Sequence, residues 1–212
     1  TGFGSLCDTE IASDDLGKLQ ENLVKSHACG LGDIVDPEIV KYMLVLKVLG
    51  LSKGNSGVKL QTVEALLDLY NSGVLPVVYE QGSLGASGDL APLAHLSLPL
   101  LGLGEVHYNG EIVSAREALV VEGLSVIELS AKEGLALLNG TQFMSGYATY
   151  ILGKLQKHVA HVDKVAALSL DAYDGRIEPF DDAVHAVRPH NGQRETAAAI
   201  RSSTAMPRPP PV

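Results

Sequence analysis

The sequence has no tryptophan, and Phe and Tyr together supply its 5% of aromatic residues. A core built from it must rest on Leu, Val, Ile and Ala rather than on large rings. Cysteine is scarce too. Cys7 and Cys29 form no Cys-x-x-Cys pair, and no His or Cys stands near them at zinc-ligand spacing, which predicts two reduced thiols and no metal. No apolar run reaches the about 18 residues of a membrane helix. The opening Thr1-Gly2-Phe3-Gly4 has neither the basic nor the apolar region of a signal peptide, so the expected compartment is the cytoplasm. Basic residues are in deficit, 16 Lys and Arg against 25 Asp and Glu, for a net charge of −9. That balance argues against nucleic acid as a partner, because phosphate binding needs clustered cations. Apolar residues at 46% and charged residues at 19% exclude a disordered chain, and 212 residues suffice for a sizeable core.

The patterning is mainly helical. Leu16, Leu19, Leu23 and Val24 recur at helical spacing behind Ser13-Asp14-Asp15, which can cap and charge a helix start. Asp36-Pro37-Glu38 reads as the opening of a second helix carrying Ile39, Val40, Met43, Leu44 and Val48, with Gly50 as its end. A third helix is predicted from about Val58 to Tyr70, with Val63, Leu66, Leu67 and Tyr70 on one side and Gly73 in its C-terminal turn. Glu105 to Val113 reads as a hairpin around Asn109-Gly110, a pair suited to a type I′ turn. Ser114 with Glu117, and Ser130 with Glu133, have the spacing of capping boxes, and the second opens a short helix ending at Asn139-Gly140. From Thr141 to Tyr173 no proline interrupts a stripe of Ile151, Leu155, Val159 and Val162. At about 1.5 Å per residue that helix spans about 50 Å, a length that points to a bundle or an oligomer core. Further helices are predicted over Asp181 to Val187 and from near Gln193, before a Pro-rich end.

Between the third helix and the hairpin lies a run of small residues, Gln81-Gly82-Ser83-Leu84-Gly85-Ala86-Ser87-Gly88, followed by Asp89 as a candidate N-cap and a buried helix from Leu93 to Leu101. Ala86-Ser87-Gly88 carries latent chemistry. Gly88 has no side chain, so its amide nitrogen can approach the Ala86 carbonyl carbon and close a five-membered ring with loss of one water. Loss of the Ser87 hydroxyl as a second water leaves 4-methylideneimidazol-5-one, an electrophile made from the chain itself. The tripeptide alone recurs by chance in many loops; its setting is what makes it informative.

Residues 82–95, Gly-Ser-Leu-Gly-Ala-Ser-Gly-Asp-Leu-Ala-Pro-Leu-Ala-His, closely resemble the signature of the aromatic amino-acid ammonia-lyases. Thr1-Gly2-Phe3-Gly4 resembles the second half of that family's Tyr-Gly-x-Asn-Thr-Gly-Phe-Gly loop. Gln20-Glu21-Asn22-Leu23 with Ser26-His27-Ala28-Cys29-Gly30 resembles the histidine ammonia-lyase branch. Leu137-Leu138-Asn139-Gly140-Thr141 and Arg188-Pro189-His190-x-Gly192-Gln193 resemble two further family segments, so the likeness covers about residues 1–200. It implies the mainly α, ammonia-lyase/aspartase-like helical fold in part. Residues 1–140 would be an N-terminal active-site region, 141–204 the start of the central bundle, and 205–212 a Pro-rich tail. It also implies an enzyme that removes ammonia from an aromatic L-amino acid, in a homotetramer whose sites draw on several subunits. No metal or diffusible cofactor is expected; the electrophile would come from Ala86, Ser87 and Gly88. Phenylalanine or tyrosine ammonia-lyases and aminomutases, and a non-catalytic helical assembly fragment, are the alternatives.

The resemblance assigns roles residue by residue. Asn139 matches an active-site amide that holds the substrate or the electrophile's carbonyl. Asp89 would assist ring closure or orient the loop, or serve as a helix cap. His27 matches the substrate-selecting position, where a polar ring hydrogen-bonds a polar substrate ring, and its surroundings favour histidine as substrate and urocanate as product. His95 is expected to pack, and His107 to lie in solvent beside the hairpin turn. His158 and His161 sit three apart, but no carboxylate completes a metal site. The family's catalytic Tyr would precede Thr1, and the family's later segment whose Arg grips the substrate carboxylate is not matched here. The chain is therefore expected to be an N-terminal fragment that does not turn over substrate alone.

Overall fold

The computed structural model describes residues 7–82 and 87–204. They fall into two compact units, the first running to Tyr150 and the second starting at Ile151. Helices dominate both, as expected.

In the first unit, α1 (Leu16–His27) follows a 3-10 turn at Ser13–Asp15. Asp15 sits at its N-cap but makes no side-chain cap bond, so the acidic pair only charges the helix start. β1 (Leu31–Ile34) leads to α2 (Pro37–Leu51). This helix opens as predicted: the Asp36 carboxylate accepts the Glu38 amide at 2.8 Å, and Pro37 stands where a missing N–H has no consequence. Gly50 does not end it; Leu51 is still helical. α3 (Leu60–Ser72) ends on Gly73 in the left-handed region, at φ 71°. Its buried residues are Thr62, Leu66 and Leu69, whereas Leu67 and Tyr70 are exposed. The helix is turned about one position from the predicted side, which lets the Thr62 hydroxyl donate to Glu133 at 2.6 Å.

β2 (Leu75–Pro76) and β3 (Tyr79–Gln81) follow, then α4 (Leu90–Ser97), which a 3-10 turn extends to Leu101. β4 (Glu105–Tyr108) and β5 (Glu111–Ser114) form the predicted hairpin, with Asn109 at φ 51° and Gly110 at φ 86° as a type I′ turn requires. Two pairings were not foreseen. β2 joins the hairpin antiparallel, with Leu75 opposite His107, and β1 pairs antiparallel with β3. The first leaves His107 half-buried rather than in solvent, and burial pushes its imidazole down.

α5 (Ala115–Val121), α6 (Glu133–Leu138) and α7 (Gln142–Ala172) complete the unit, α7 running on into the second. Ser114 makes no cap bond at α5. The predicted capping box at Ser130 forms only in half: Lys132 is the N-cap of α6 and no side chain caps it, but the Glu133 side of the box is made and extended. The Glu133 carboxylate accepts Ser130 N at 2.7 Å, Lys59 N at 2.8 Å and the Thr62 hydroxyl, tying α6 to the start of α3. Burial alone would raise its carboxyl, but these donors hold it below the usual range. The core is aliphatic: Val40, Met43, Leu44, Leu66, Leu93 and Leu137 are all fully buried, each contributing about 1.5–3 kcal/mol. α1 crosses α6 at Gly134, whose amide donates to the Gln20 side chain at 3.0 Å. A Cβ on Gly134 would stand 2.8 Å from the Gln20 carbonyl oxygen.

In the second unit, the rest of α7 is followed by α8 (Asp182–Ala186) and α9 (Asn191–Thr204). Arg201 donates to the Phe180 carbonyl and lies 3.6 Å from Asp182, while Ala197 and Ile200 are buried. The predicted stripe on α7 is largely uncovered within this unit, Ile151, Leu155 and Val159 each being more than half exposed. No helix among the described residues is long and apolar enough to cross a membrane.

Candidate active site

α6 and α7 are separated by Asn139-Gly140-Thr141. Gly140 has φ 153°, a backbone conformation that favours glycine at this break. The Asn139 side chain is exposed, with Nδ2 3.3 Å from the Leu135 carbonyl. Its backbone is held more firmly. Lys47 Nζ, from α2, donates to the carbonyls of Asn139 at 3.0 Å and Ala136 at 2.8 Å. A cation thus sits on the last carbonyls of α6, where the helix dipole favours it.

The other side of the break is held by an anion. Asp89 is the N-cap residue of α4, as predicted, but its side chain makes no cap bond to that helix. Oδ2 instead accepts the amides of Phe143 at 3.1 Å and Met144 at 3.2 Å, in the first turn of α7. Those amides have no intrahelical acceptor, and a carboxylate is their best partner. Lys47 is 1% exposed and Asp89 3%. Burial lowers the Lys47 ammonium to about 8, with the Asp89 charge opposing it. Burial raises the Asp89 carboxyl, opposed by the Met144 and Phe143 amides and by the Lys47 charge.

Immediately before Asp89, the Ser87 hydroxyl accepts the Asp89 amide at 3.3 Å. Gly88 has φ 76°, a conformation that favours glycine, and among the described residues a Cβ there would meet nothing within 4 Å. Ala86 lies outside the described residues. The upstream side of this segment is anchored at the turn after His27. Gly82 approaches that turn so closely that a Cβ on it would be 3.1 Å from both the Cys29 oxygen and Gly30 Cα. β3, which leads into Gly82, pairs with β1, which leads out of the turn. His95 of α4 makes a third tie: its Nε2 accepts the Gly30 amide at 2.9 Å, and its ring meets Tyr79 edge-on at 5.0 Å. Burial lowers the His95 imidazole, which keeps the acceptor form. His95 packs, as expected, and also positions the His27 turn.

His27 is half-buried at the end of α1, with Nδ1 2.9 Å from the Leu23 carbonyl and 3.2 Å from Ser26 Oγ. A carbonyl only accepts, so Nδ1 carries the hydrogen, and in the neutral ring Nε2 is then the acceptor. That leaves an acceptor suited to a substrate ring bearing an N–H or O–H. Among the described residues, the side chains of His27, Ser87 and Asn139 make no hydrogen bonds to one another; the backbone arrangement gathers their segments. Lys47 is the member that motif reading missed. Its signal was its place on the buried face of α2, in step with Val40, Met43, Leu44 and Leu51. No cluster of three or more His, Cys, Asp or Glu among the described residues could hold a metal ion.

Residues 1–206 match the family model for aromatic amino acid lyases. The chain is 49% identical over 201 residues to histidine ammonia-lyase 2 of Fusobacterium nucleatum, covering 95% of this chain and 39% of that protein. It is 48% identical over 205 residues to the histidine ammonia-lyase of Streptococcus gordonii, again covering 39% of the relative. Its fold superposes on the crystal structure of histidine ammonia-lyase from Trypanosoma cruzi with a TM-score of 0.88 at 39% identity, over 95% of this chain and 39% of that one. For the phenylalanine aminomutase of Pantoea agglomerans the TM-score is 0.87 at 33% identity, covering 95% and 39%. The chain therefore spans about two fifths of the length of the relatives it matches.

Proposed function

Because the chain belongs to the aromatic amino acid lyase family, we propose that the protein it forms part of removes ammonia from L-histidine to give urocanate. The electrophile is 4-methylideneimidazol-5-one formed from Ala86, Ser87 and Gly88. When formed, that group supplies an electron acceptor for the substrate, which makes loss of the β-proton and of ammonia feasible. The rest is the work of this chain's own side chains. His27 Nε2 accepts the N–H of the substrate ring, the exposed Asn139 amide holds the substrate or the electrophile's carbonyl, and Asp89 orients the segment that closes. The same reading carries a cytoplasmic homotetramer with no metal or diffusible cofactor.

One observation carries the proposal. The segment containing Ser87 and Gly88 is tied upstream to the His27 turn, through Gly82 and the β1–β3 pairing, and downstream to the Asn139 junction, through Asp89. The glycine at position 88, in the left-handed region with no neighbour among the described residues over its Cα, fits a backbone that must fold back on itself. The test has two parts. Peptide mapping should find residues 86–88 two waters lighter than the sequence. The full-length protein should release urocanate from L-histidine but neither cinnamate from L-phenylalanine nor coumarate from L-tyrosine. An unmodified mass with no urocanate would leave a helical assembly protein without this chemistry.

A further inference from the structure

Lys47 is fully buried, charged, and assigned no part in the chemistry above. Its two acceptors are the last carbonyls before the Asn139 break, and Asp89 takes the first free amides after it. One cation and one anion, brought by α2 and by the start of α4, thus serve the two helix ends that face each other across Asn139-Gly140-Thr141. Each charge partly offsets the burial of the other. A buried charge is tolerated only with such compensation.

We propose that Lys47 is a positioning residue of the active site. It fixes the Asn139 backbone directly, and through the short Gly140-Thr141 connection it holds the first turn of α7 where Asp89 binds Phe143 and Met144, which in turn sets the backbone of Ser87-Gly88 for ring closure. Lys47 touches neither the substrate nor the closing atoms; it acts through Asn139 and Asp89. This inference rests on the reading of Ala86-Ser87-Gly88 as the ring-forming segment. A lysine that merely filled space between α2 and α6 would affect Ala136 and Asn139 only. A positioning lysine also affects the amides of Phe143 and Met144, whose acceptor is Asp89.

The experiment uses the whole chain as wild type, Lys47→Met, Lys47→Gln and Lys47→Arg. Two quantities are read in the folded fraction of each: hydrogen exchange at the Phe143 and Met144 amides, and the fraction of molecules two waters light at residues 86–88. Lys47→Met and Lys47→Gln should lose protection at both amides by about tenfold and form the ring at least about tenfold more slowly. Lys47→Arg keeps the charge and should retain both. Full protection and full ring yield in Lys47→Met or Lys47→Gln would overturn the proposal. So would loss of protection with ring yield intact, since Lys47 would then have no part in closure. If no variant folds, Lys47 is a framework residue alone and the proposal fails. A wild-type chain without the mass deficit refutes the ring-forming reading separately, while the exchange measurement still decides whether Lys47 controls Asp89.

Discussion

The burial of Lys47 predicts an unusual alkaline stabilisation. Its ammonium titrates at about 8 in the folded chain against 10.5 for a solvated lysine. Between those values the unfolded chain binds the proton and the folded chain does not, so the free energy of unfolding rises with pH across that window. At about 1.4 kcal/mol per pH decade, the gap amounts to about 3 kcal/mol. Below about pH 8 the folded state bears the full penalty of a buried cation. Lys47→Met removes this dependence. It also leaves the Ala136 and Asn139 carbonyls without their donor, at about 1–3 kcal/mol each, so at neutral pH the loss and the relief oppose each other and the net change is small. The signature is therefore the slope, not the value at one pH. Other lysines and tyrosines titrate alike in both proteins and cancel in the difference. With no tryptophan in the chain, urea unfolding is best followed by far-UV circular dichroism. For a urea slope of about 2 kcal/mol/M, the wild-type midpoint should rise by about 1.2 M relative to the variant between about pH 7 and pH 10, where most of the gap is realised. Parallel midpoint curves would refute the buried-cation account.

Gly134→Ala should destabilise the first unit by about 1–3 kcal/mol, because the added methyl meets a backbone oxygen of α1 that cannot rotate away; an unchanged urea midpoint would show that α1 and α6 do not meet there. Glu133 contributes stability that is present above about pH 4.5 and lost as pH falls through its lowered folded value, so Glu133→Gln should flatten the acid limb of the stability curve. His95→Phe keeps the ring edge against Tyr79 but removes the acceptor for Gly30, and exchange at the Gly30 amide should speed up by about tenfold or more. The exposed α7 stripe should make the chain self-associate in a concentration-dependent way, and Leu155→Glu should shift sedimentation towards the monomer.

What the sequence made legible was the locally encoded part. Asp36-Pro37-Glu38 and Asn109-Gly110 specify a helix start and a turn through backbone preferences that need no distant partner. The long proline-free run from Thr141 and the break at Asn139-Gly140 were legible for the same reason. The family signature likewise singled out the Ala-Ser-Gly segment, His27 and Asn139 as candidates. Contacts across long separations were not legible. β1, β2 and β3 are only two to four residues long, and their partners lie far along the chain. Asp89 was recognised as a residue at a helix start, but the helix its side chain serves begins more than fifty residues later. A local rule names the nearest orphan amides; the fold supplies better ones. Lys47 escaped notice because a single lysine among apolar neighbours reads as an imperfection in a stripe until its carbonyl acceptors are known.

Asp89 adjoins the segment that would cyclise and is hydrogen-bonded to the first turn of α7. Its partners, Phe143 and Met144, are synthesised long after it, so the frame around Ser87 and Gly88 is complete only once α7 has docked. Ring closure expels water and is not undone by later unfolding. On the proposed reading the missing mass is then a permanent stamp, applied once and only to molecules that have passed through the folded arrangement. A protein population would carry its own folding history in its mass spectrum. Molecules that collapsed without docking α7 would remain countable beside the stamped ones, even after both had been denatured.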